Sequence, residues 1–311
     1  MFNKENKIMT KKTVVVALGG NALLRRGEPL EADIQRANIA TAAKSIAEIA
    51  KEYNVVLVHG NGPQVGLLAL QGLEYKAVKP YPLDVLGSET QGMIGYILMQ
   101  ELKNLLPEMD VSCLLTQMRV DENDPAFQDP TKPIGPVYTE EEATELAEKH
   151  NWTIKPDGKH FRRVVPSPLP IGIIEDDAIT TLIKQNHLVI CTGGGGIPVT
   201  KVDGKLVGIE AVIDKDMSAA FLAKQLNADA LLILTDTDAV YLDWGKPTQV
   251  ALRKTTPAEL DKYTFDAGSM GPKVQASCEF IKKGGSFVGI GTLDAGLRIL
   301  KGEAGTNIVA E

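Results

Sequence analysis

Four glycine-rich segments interrupt this chain, and each either follows an apolar, β-rich run or precedes a helical one. Glycine lets a backbone approach a ligand closely, and the unpaired N–H groups at a helix N-terminus attract anions. A single such segment is most often a turn, but four together predict one phosphate site and a phosphoryl-transfer enzyme. The segments are Gly19-Gly20-Asn21, Gly60-Asn61-Gly62-Pro63, the four glycines at 193–196, and Ser269-Met270-Gly271-Pro272-Lys273.

The rest of the chain alternates between short β-branched runs and stretches with helical periodicity. This predicts an α/β fold, a three-layer αβα sandwich around a mostly parallel sheet, with ligands at the carboxyl ends of the strands. Strands are expected at 13–18, 54–58, 111–117, 188–191, 230–235, 286–291 and 306–309, with a hairpin over 198–209 that turns at Asp203-Gly204. Helices are expected at 33–53, from a Ser88/Gln91 capping box towards residue 105, at 177–185 and 214–226, after Thr256-Pro257, and at 272–283.

Residues 120–165 break this alternation. The segment is acidic, poor in apolar residues and rich in proline, with one short helix expected at 139–149. Because it has too little apolar surface for its own core, we expect a small protruding lid, inserted into a domain that runs from 13 to 311. Residues 1–12 are polar and lysine-rich, which predicts a frayed N-terminal extension. A chain of 311 residues fits one large domain or two closely coupled lobes.

Composition and charge exclude several classes of protein. A net charge of −7 and a pI near 5.3 argue against a nucleic-acid-binding surface, which needs clustered Lys and Arg. No apolar run approaches the ~20 residues of a membrane span and residues 1–12 do not resemble a signal peptide, so we expect a cytoplasmic protein. The three cysteines are expected to be reduced core residues. The four histidines lack metal-ligand spacing and are expected to be structural or exposed.

The common nucleotide-binding fingerprints are absent. No Gly-Lys-Ser/Thr triplet of a P-loop occurs. In the dinucleotide pattern a third glycine follows Gly-x-Gly, but here Val65 and Pro198 stand in that position. The segment around Lys273 gives a stronger indication of an anion site than these fingerprints do, because Pro272 at the first position of a predicted helix leaves amide groups free to face an anion. An anion site at this helix start is therefore favoured.

Two acidic segments each have two interpretations. Asp214-Lys215-Asp216 is either a solvated helix start or a lysine that faces a transferring phosphoryl group, held charged and oriented by its flanking carboxylates. Asp236 and Asp238 follow an apolar run and are either turn formers or nucleotide contacts. Sequence periodicity does not choose between these interpretations.

Taken in order, these motifs resemble those of the carbamate kinases in the amino acid kinase superfamily, from about residue 13 to the end. Several ordered matches make the resemblance specific. The matching stretches are Ala17-Leu18-Gly19-Gly20-Asn21-Ala22-Leu23, His59-Gly60-Asn61-Gly62-Pro63-Gln64-Val65-Gly66, Asp129-Pro130-Thr131-Lys132-Pro133-Ile134-Gly135, Arg162-Arg163-Val164-Val165-Pro166-Ser167-Pro168, Gly193-Gly194-Gly195-Gly196-Ile197-Pro198, Ala211-Val212-Ile213-Asp214-Lys215-Asp216, Leu234-Thr235-Asp236-Thr237-Asp238-Ala239-Val240-Tyr241 and Gly268-Ser269-Met270-Gly271-Pro272-Lys273-Val274.

The resemblance implies reversible phosphoryl transfer between carbamoyl phosphate and ADP, giving ATP and carbamate, with Mg²⁺ carried by the nucleotide phosphates. It also implies a homodimer that works in arginine or purine breakdown. On the carbamoyl phosphate side it implies Gly19, Gly20, Asn21, Gly60, Asn61, Gly62, Gly194 and Gly195. It implies catalytic roles for Lys132, Lys215, Lys273, Asp214 and Asp216. Its nucleotide site would comprise Thr235, Asp236, Asp238, Tyr241, Met270, Gly271, Lys215 and Lys273.

Two departures from common patterns are informative. Family members often have Gly-Arg-Gly-aromatic before the Arg-Arg pair, whereas this chain has Gly158-Lys159-His160-Phe161, so a role for that lid arginine does not carry over. Most related amino acid kinases have a lysine before the first Gly-Gly, where this chain has Leu18, which favours the carbamate branch. The alternatives are a kinase of another carboxylate or of UMP, a non-catalytic nucleotide sensor and an oxidoreductase.

Overall fold

A computed structural model gives the structure of residues 11–25, 27–266 and 268–311. The frayed extension expected at 1–12 lies outside these ranges except for residues 11 and 12. The strands are β1 (Thr13–Leu18), β2 (Asn54–His59), β3 (Val111–Cys113), β4 (Gln117–Arg119), β5 (Lys132–Tyr138), β6 (Thr153–Asp157), β7 (His160–Val165), β8 (Gly172–Ile173), β9 (Leu188–Ile190), β10 (Ile197–Val202), β11 (Lys205–Gly208), β12 (Ala230–Thr235), β13 (Val240–Leu242), β14 (Val250–Leu252), β15 (Lys254–Thr255), β16 (Phe287–Thr292) and β17 (Thr306–Val309). The helices are α1 (Ala32–Glu52), α2 (Gly62–Glu74), α3 (Leu83–Leu105), α4 (Glu140–His150), α5 (Asp176–Lys184), α6 (Lys215–Gln225), α7 (Pro257–Leu260), α8 (Met270–Lys282) and α9 (Gly296–Leu300).

The central sheet has eight strands in the order β15-β17-β16-β12-β1-β2-β9-β3. Every neighbouring pair is parallel except β16 and β17, which are antiparallel. The β-branched run of β1 lies in the middle, paired with β12 on one side and β2 on the other. The predicted mostly parallel sheet is confirmed. The carboxyl ends of β1, β2, β9 and β12 therefore lie at one edge of the sheet.

Each face of the central sheet packs against its own helical layer. Val15 and Ala17 of β1 belong to a core that includes α6 and α8, whereas Val14, Val16 and Leu18 belong to a core with α1 and α3. Alternate residues of a strand point to opposite faces, and all five side chains are fully buried. This arrangement confirms the three-layer αβα sandwich.

The lid, which we define as β5, α4, β6 and β7, has its own three-stranded sheet in the order β5-β7-β6. Its helix begins at a capping box, in which the Glu142 N–H donates to Thr139 Oγ1 (3.3 Å) and the Thr139 N–H donates to the Glu142 carboxylate (2.9 Å). The helix predicted at 139–149 is thus present. That residues 120–165 form a protruding lid inserted into the domain stays a prediction.

Two further small sheets flank the central sheet. One has the order β11-β10-β4-β8 and contains the predicted hairpin of β10 and β11, and the other is the β13-β14 pair. The cysteines of the described chain are free, with Cys191 and Cys278 buried and Cys113 partly buried. Among the helices of the described ranges, none has the length and apolar character needed to cross a membrane.

Two expectations about the chain around α3 are wrong. The helix begins at Leu83 after Pro82, so Ser88 is not its cap; Ser88 Oγ instead donates back to the Val85 carbonyl (2.6 Å). The Leu83 N–H donates to the Glu210 carboxylate (2.9 Å), and this distant residue takes the place of a local cap. The predicted strand 111–117 is two strands in different sheets, β3 and β4.

Candidate active site

Three of the predicted glycine segments meet at the carboxyl edge of the central sheet. A 3₁₀ turn at Gly20–Ala22 follows β1, helix α2 follows β2, and a 3₁₀ turn at Gly193–Gly195 follows β9. A Cβ added to Gly60 would lie 3.7 Å from the Gly20 nitrogen and 3.5 Å from Lys215 Cδ. One added to Gly194 would lie 2.1 Å from Asn61 Nδ2. The glycines therefore allow the loops to touch each other and the Lys215 side chain. The side chain of Asn21, which was predicted for the same site, lies outside what the structure describes.

A cluster of five charged side chains stands beside these loops. Asp214 caps α6, because its Oδ1 accepts from the N–H groups of Asp216 (2.8 Å) and Met217 (3.2 Å). Its other oxygen accepts from Lys132, which β5 of the lid contributes. Asp214 therefore fixes the start of α6 and joins the lid to the central domain.

The second carboxylate of the cluster, Asp216, bridges two lysines. Lys215 donates to its Oδ1, and Lys273 of α8 donates to its Oδ2 at 3.0 Å. The three side chains are 12%, 14% and 3% exposed for Lys215, Lys273 and Asp216 respectively. The sequence left open whether residues 214–216 form a solvated helix start. Because the side chains of Lys215 and Asp216 are buried, the structure argues against that interpretation.

The ionisation of the cluster follows from burial and charge. Burial by itself raises the pKa of Asp216, but Lys215 and Lys273 outweigh it and hold the pKa far below its usual range. Burial lowers the pKa of Lys215, and the attraction of Asp216 offsets only part of that effect. Three ammonium groups and two carboxylates leave one excess positive charge next to the glycine loops. Such an excess is suited to an anionic ligand.

The glycine run after β9 has a backbone that other residues rarely adopt. Gly194, Gly195 and Gly196 have φ values of 65°, 95° and 96°. A Cβ on Gly195 would also lie 2.2 Å from the Ile213 carbonyl oxygen, in the segment that leads to Asp214. The run therefore packs directly against the connection that carries the charged cluster.

His59 at the end of β2 has a structural role, as predicted. It is 1% exposed and packs against Gly193, where an added Cβ would meet its Nε2 at 2.4 Å. Burial lowers its pKa to about 4, so the ring is neutral near pH 7, and Nδ1 donates to the Gly60 carbonyl (2.9 Å). The ring thus contacts both the Gly60 loop and the glycine run at 193–196.

The residues predicted for the nucleotide follow β12 and begin α8. Gly19 is close to them, since its N–H donates to the Leu234 carbonyl (2.8 Å) immediately before Thr235. Tyr241 donates to Asp238 Oδ1 (2.5 Å), and Arg253 donates to the other oxygen of that carboxylate (2.9 Å). Thr235 donates to Asp236 (3.1 Å). These bonds fit either interpretation of Asp236 and Asp238, as turn formers or as nucleotide contacts.

The start of α8 differs from the prediction. The helix begins at Met270, so Pro272 is its third residue and not its first. The Gly271 N–H donates to the Asp266 carbonyl at 2.7 Å and is not free to face an anion. The positive charge at this helix start therefore comes from Lys273, whose ammonium group reaches Asp216.

Sequence reasoning missed three contributors to the site. Thr90 and Gln91 of α3 form hydrogen bonds to two of the glycine loops, and Glu210 lies 3.7 Å from Arg163 of the lid. No local pattern marks these residues, because their partners lie far away in sequence. The described residues contain no group of three His, Cys, Asp or Glu side chains arranged to hold a metal ion.

Comparison with known proteins identifies the family. The model of the amino acid kinase family matches residues 12–290. Carbamate kinase of Haemophilus influenzae is 54% identical over 297 residues, covering 95% of this chain and 96% of the relative. The chain belongs to the carbamate kinases of the amino acid kinase family. Carbamate kinase of Thermococcus kodakarensis, 45% identical over 314 residues, covers 96% of this chain and 100% of its own length.

Solved structures of this family have the same fold. Carbamate kinase from Giardia lamblia bound to AMP-PNP is 42% identical with a TM-score of 0.89, over 97% of this chain and 99% of that one. N-acetylglutamate synthase from Neisseria gonorrhoeae, 14% identical with a TM-score of 0.57, shares the fold alone; the match covers 97% of this chain and 62% of the synthase. The predicted fold and kinase class are confirmed, and the comparisons favour them over an oxidoreductase or a non-catalytic sensor.

Proposed function

We propose that this chain catalyses the reversible transfer of a phosphoryl group from carbamoyl phosphate to ADP, with ATP and carbamate as products. Carbamate then decomposes to CO₂ and ammonia. The observation that carries the proposal is the pair of lysines, Lys215 and Lys273, that share the buried Asp216 beside the Gly20 and Gly60 loops. Relatives that match this chain over nearly their whole length carry the name carbamate kinase.

The proposed reaction needs alignment and positive charge more than a protein nucleophile. A terminal oxygen of the ADP β-phosphate attacks phosphorus in line while the bond from phosphorus to the carbamate oxygen breaks, and the electron pair leaves with carbamate. The transition state is loose, with negative charge spread over the moving phosphoryl group. Lys132, Lys215 and Lys273 would stabilise this charge. Asp214 and Asp216 would hold those ammonium groups charged and oriented.

The two substrates would divide the site between them. Carbamoyl phosphate would lie against the loops after β1, β2 and β9, and the nucleotide against the end of β12 and the start of α8. In this proposal the substrate side comprises Gly19, Gly20, Asn21, Gly60, Asn61, Gly62, Gly194 and Gly195. The nucleotide side comprises Thr235, Asp236, Asp238, Tyr241, Met270 and Gly271, with Lys215 and Lys273 between the two.

The proposal includes Mg²⁺ as the companion of the nucleotide. Asp214 and Asp216 are already engaged by lysines, so nucleotide phosphates would supply most of the metal's ligands. When bound, Mg²⁺ would neutralise part of the phosphate charge. We further propose a cytoplasmic homodimer that works in arginine or purine breakdown.

A coupled assay of ATP formation tests the function. The purified chain should form ATP from carbamoyl phosphate and MgADP. Absence of ATP in this reaction, together with turnover of another carboxylate or of UMP, would refute the proposal. Gel filtration with light scattering tests the homodimer separately.

A further inference from the structure

Helix α3 contacts one of the substrate loops through Thr90. This residue is 0% exposed, and its hydroxyl oxygen accepts from Asn61 Nδ2 (2.8 Å) while it donates to the Gly87 carbonyl (2.8 Å). Asn61 precedes α2 at the N-cap position, where Asn normally bonds to the helix's own first amides, yet it makes no such bond. Thr90 thus holds the Asn61 side chain away from its usual capping geometry.

The next residue of α3 contacts a second substrate loop. Gln91 is 1% exposed, and its Nε2 donates to the carbonyls of Gly193 (3.0 Å) and Thr116 (3.2 Å). Its Oε1 accepts from the Thr116 N–H (2.8 Å). The two N–H donors and the acceptor of this amide are therefore all used. The bonds to Thr116 also tie α3 to the segment between β3 and β4.

The two loops held in this way touch each other. The close approach of Gly194 to the Asn61 amide leaves no room for a Cβ at Gly194. Helix α3 is itself anchored, because Ile94, Leu98 and Leu102 are fully buried against α1 and the central sheet. Thr90 and Gln91 therefore connect a rigid element to both loops.

We propose that Thr90 and Gln91 are positioning residues that set the spacing between the Asn61 loop and the glycine run at 193–196. Because both side chains are buried, they act through those loops and do not touch substrate. The inference rests on the proposed function, in which these loops bind carbamoyl phosphate. It differs from a purely structural role, since loss of a bond should impair one substrate selectively while the fold remains.

Substitutions at Thr90 test the inference. Thr90→Val keeps the shape but removes the acceptor for Asn61, which frees that amide to rotate towards the start of α2. We expect the KM for carbamoyl phosphate to rise about tenfold, as the loss of one buried hydrogen bond implies. The KM for MgADP should stay within about twofold. Thr90→Ser keeps the hydroxyl and should have wild-type KM values for both substrates.

A control lies on the same helix. Ser88→Ala removes a hydroxyl that donates to the Val85 carbonyl of the same helix (2.6 Å), and it should leave both KM values unchanged. If Thr90→Val folds and both KM values remain at wild type, or if Thr90→Ser is as impaired as Thr90→Val, the inference is wrong.

If Thr90→Val does not fold, Thr90→Cys provides a weaker acceptor of similar size, and its KM for carbamoyl phosphate should rise above that of wild type. A wild-type value for folded Thr90→Cys would then overturn the inference.

Hydrogen exchange in the ligand-free protein gives a readout that does not depend on activity. Thr90→Val should speed amide exchange at 61–66, and Gln91→Met should speed it at 192–196 and 114–117, with the lid helix α4 unchanged. Uniform acceleration throughout the chain would indicate a general loss of stability and contradict the inference. If wild type forms no ATP, the proposed function fails, whereas this exchange pattern still decides whether the two residues hold the loops.

Discussion

Gly66 of α2 lies directly against the backbone of Gly135 in β5 of the lid. A Cβ added to Gly66 would lie 2.1 Å from the Gly135 Cα and 2.4 Å from its nitrogen. Because β5 begins at Lys132, this contact between two glycines sets the position of the lysine that bonds to Asp214. Both glycines belong to the sequence motifs, yet the motifs alone do not show that they touch.

Gly66→Ala is expected to displace β5. The added methyl group would collide with backbone atoms, which cannot rotate away, so we expect a destabilisation of about 1–3 kcal/mol and a lower kcat. Gly72→Ala in the same helix is the control, since its Cβ would meet only the Pro80 side chain at 3.9 Å. Thermal unfolding and ATP formation measure both effects. A fully active and equally stable Gly66→Ala variant would show that the lid does not depend on this contact.

Removal of the Lys273 ammonium group should reduce turnover while the protein remains folded. By analogy with a lost oxyanion-hole donor, Lys273→Met is expected to lower kcat by about 10²–10³. Lys283→Met, just past the end of the same helix, removes an exposed lysine that pairs with Glu279, and should have little effect. Lys215→Ala should behave like Lys273→Met. Near-normal kcat in either active-site variant would remove that lysine from the proposed mechanism.

The alkaline limb of the pH–rate profile should report Lys215. Burial lowers the pKa of this lysine below its ordinary value of 10.5, so it loses its proton, and with it the charge that the reaction needs, at a lower pH than an exposed lysine. We expect kcat/KM, which reports the groups of the ligand-free enzyme, to fall with a midpoint below 10.5. In Lys215→Arg, which stays charged, the fall should move to higher pH even if the rate is reduced. An identical alkaline limb in both proteins would assign the midpoint to another group.

His59 should make the fold sensitive to acid. Its folded-state pKa of about 4 lies below the value of 6.5 for a free histidine, so the unfolded chain binds the proton more readily. The stability that this group contributes is fully present above about pH 6.5 and is lost as the pH falls towards 4. Wild type should lose about 2–3 kcal/mol from this group between pH 7 and pH 4.5.

The matched variant for this prediction is His59→Gln, which should lack that part of the pH dependence. His160→Gln, at an exposed position of the lid, should retain the wild-type dependence. Urea unfolding at the two pH values measures the difference. If wild type and His59→Gln lose the same stability on acidification, His59 is not the responsible group.

The sequence predicted those parts of the fold that depend on local pattern. The run of β1 and the Thr139/Glu142 capping box are continuous in sequence, and both elements are present. The start of α3 could not be predicted, because Pro82 offers no side-chain cap and the carboxylate of Glu210 comes from 127 residues away. Distant contacts leave no periodic signal.

In the candidate site, too, features of local sequence could be predicted and contacts between distant segments could not. The glycine segments could be predicted because close backbone approach is a property of residue type, whereas the sequence left the surroundings of Lys215 open. The ion pairs of Lys132 with Asp214 and of Lys273 with Asp216 join separate segments, and only the tertiary fold brings them together. The predicted start of α8 at Pro272 was wrong, because the helix begins at Met270 and the Gly271 N–H donates to the Asp266 carbonyl in the turn before it.

A crystal structure with MgADP, carbamate and an aluminium fluoride analogue of the phosphoryl group tests the central claim most directly. We expect the analogue to lie within about 3.2 Å of the ammonium groups of Lys215 and Lys273, next to the Gly20 and Gly60 loops. An analogue bound away from these lysines, for instance in the cleft of 770 Å³ lined by Asp238, Arg253 and Arg298, would contradict it.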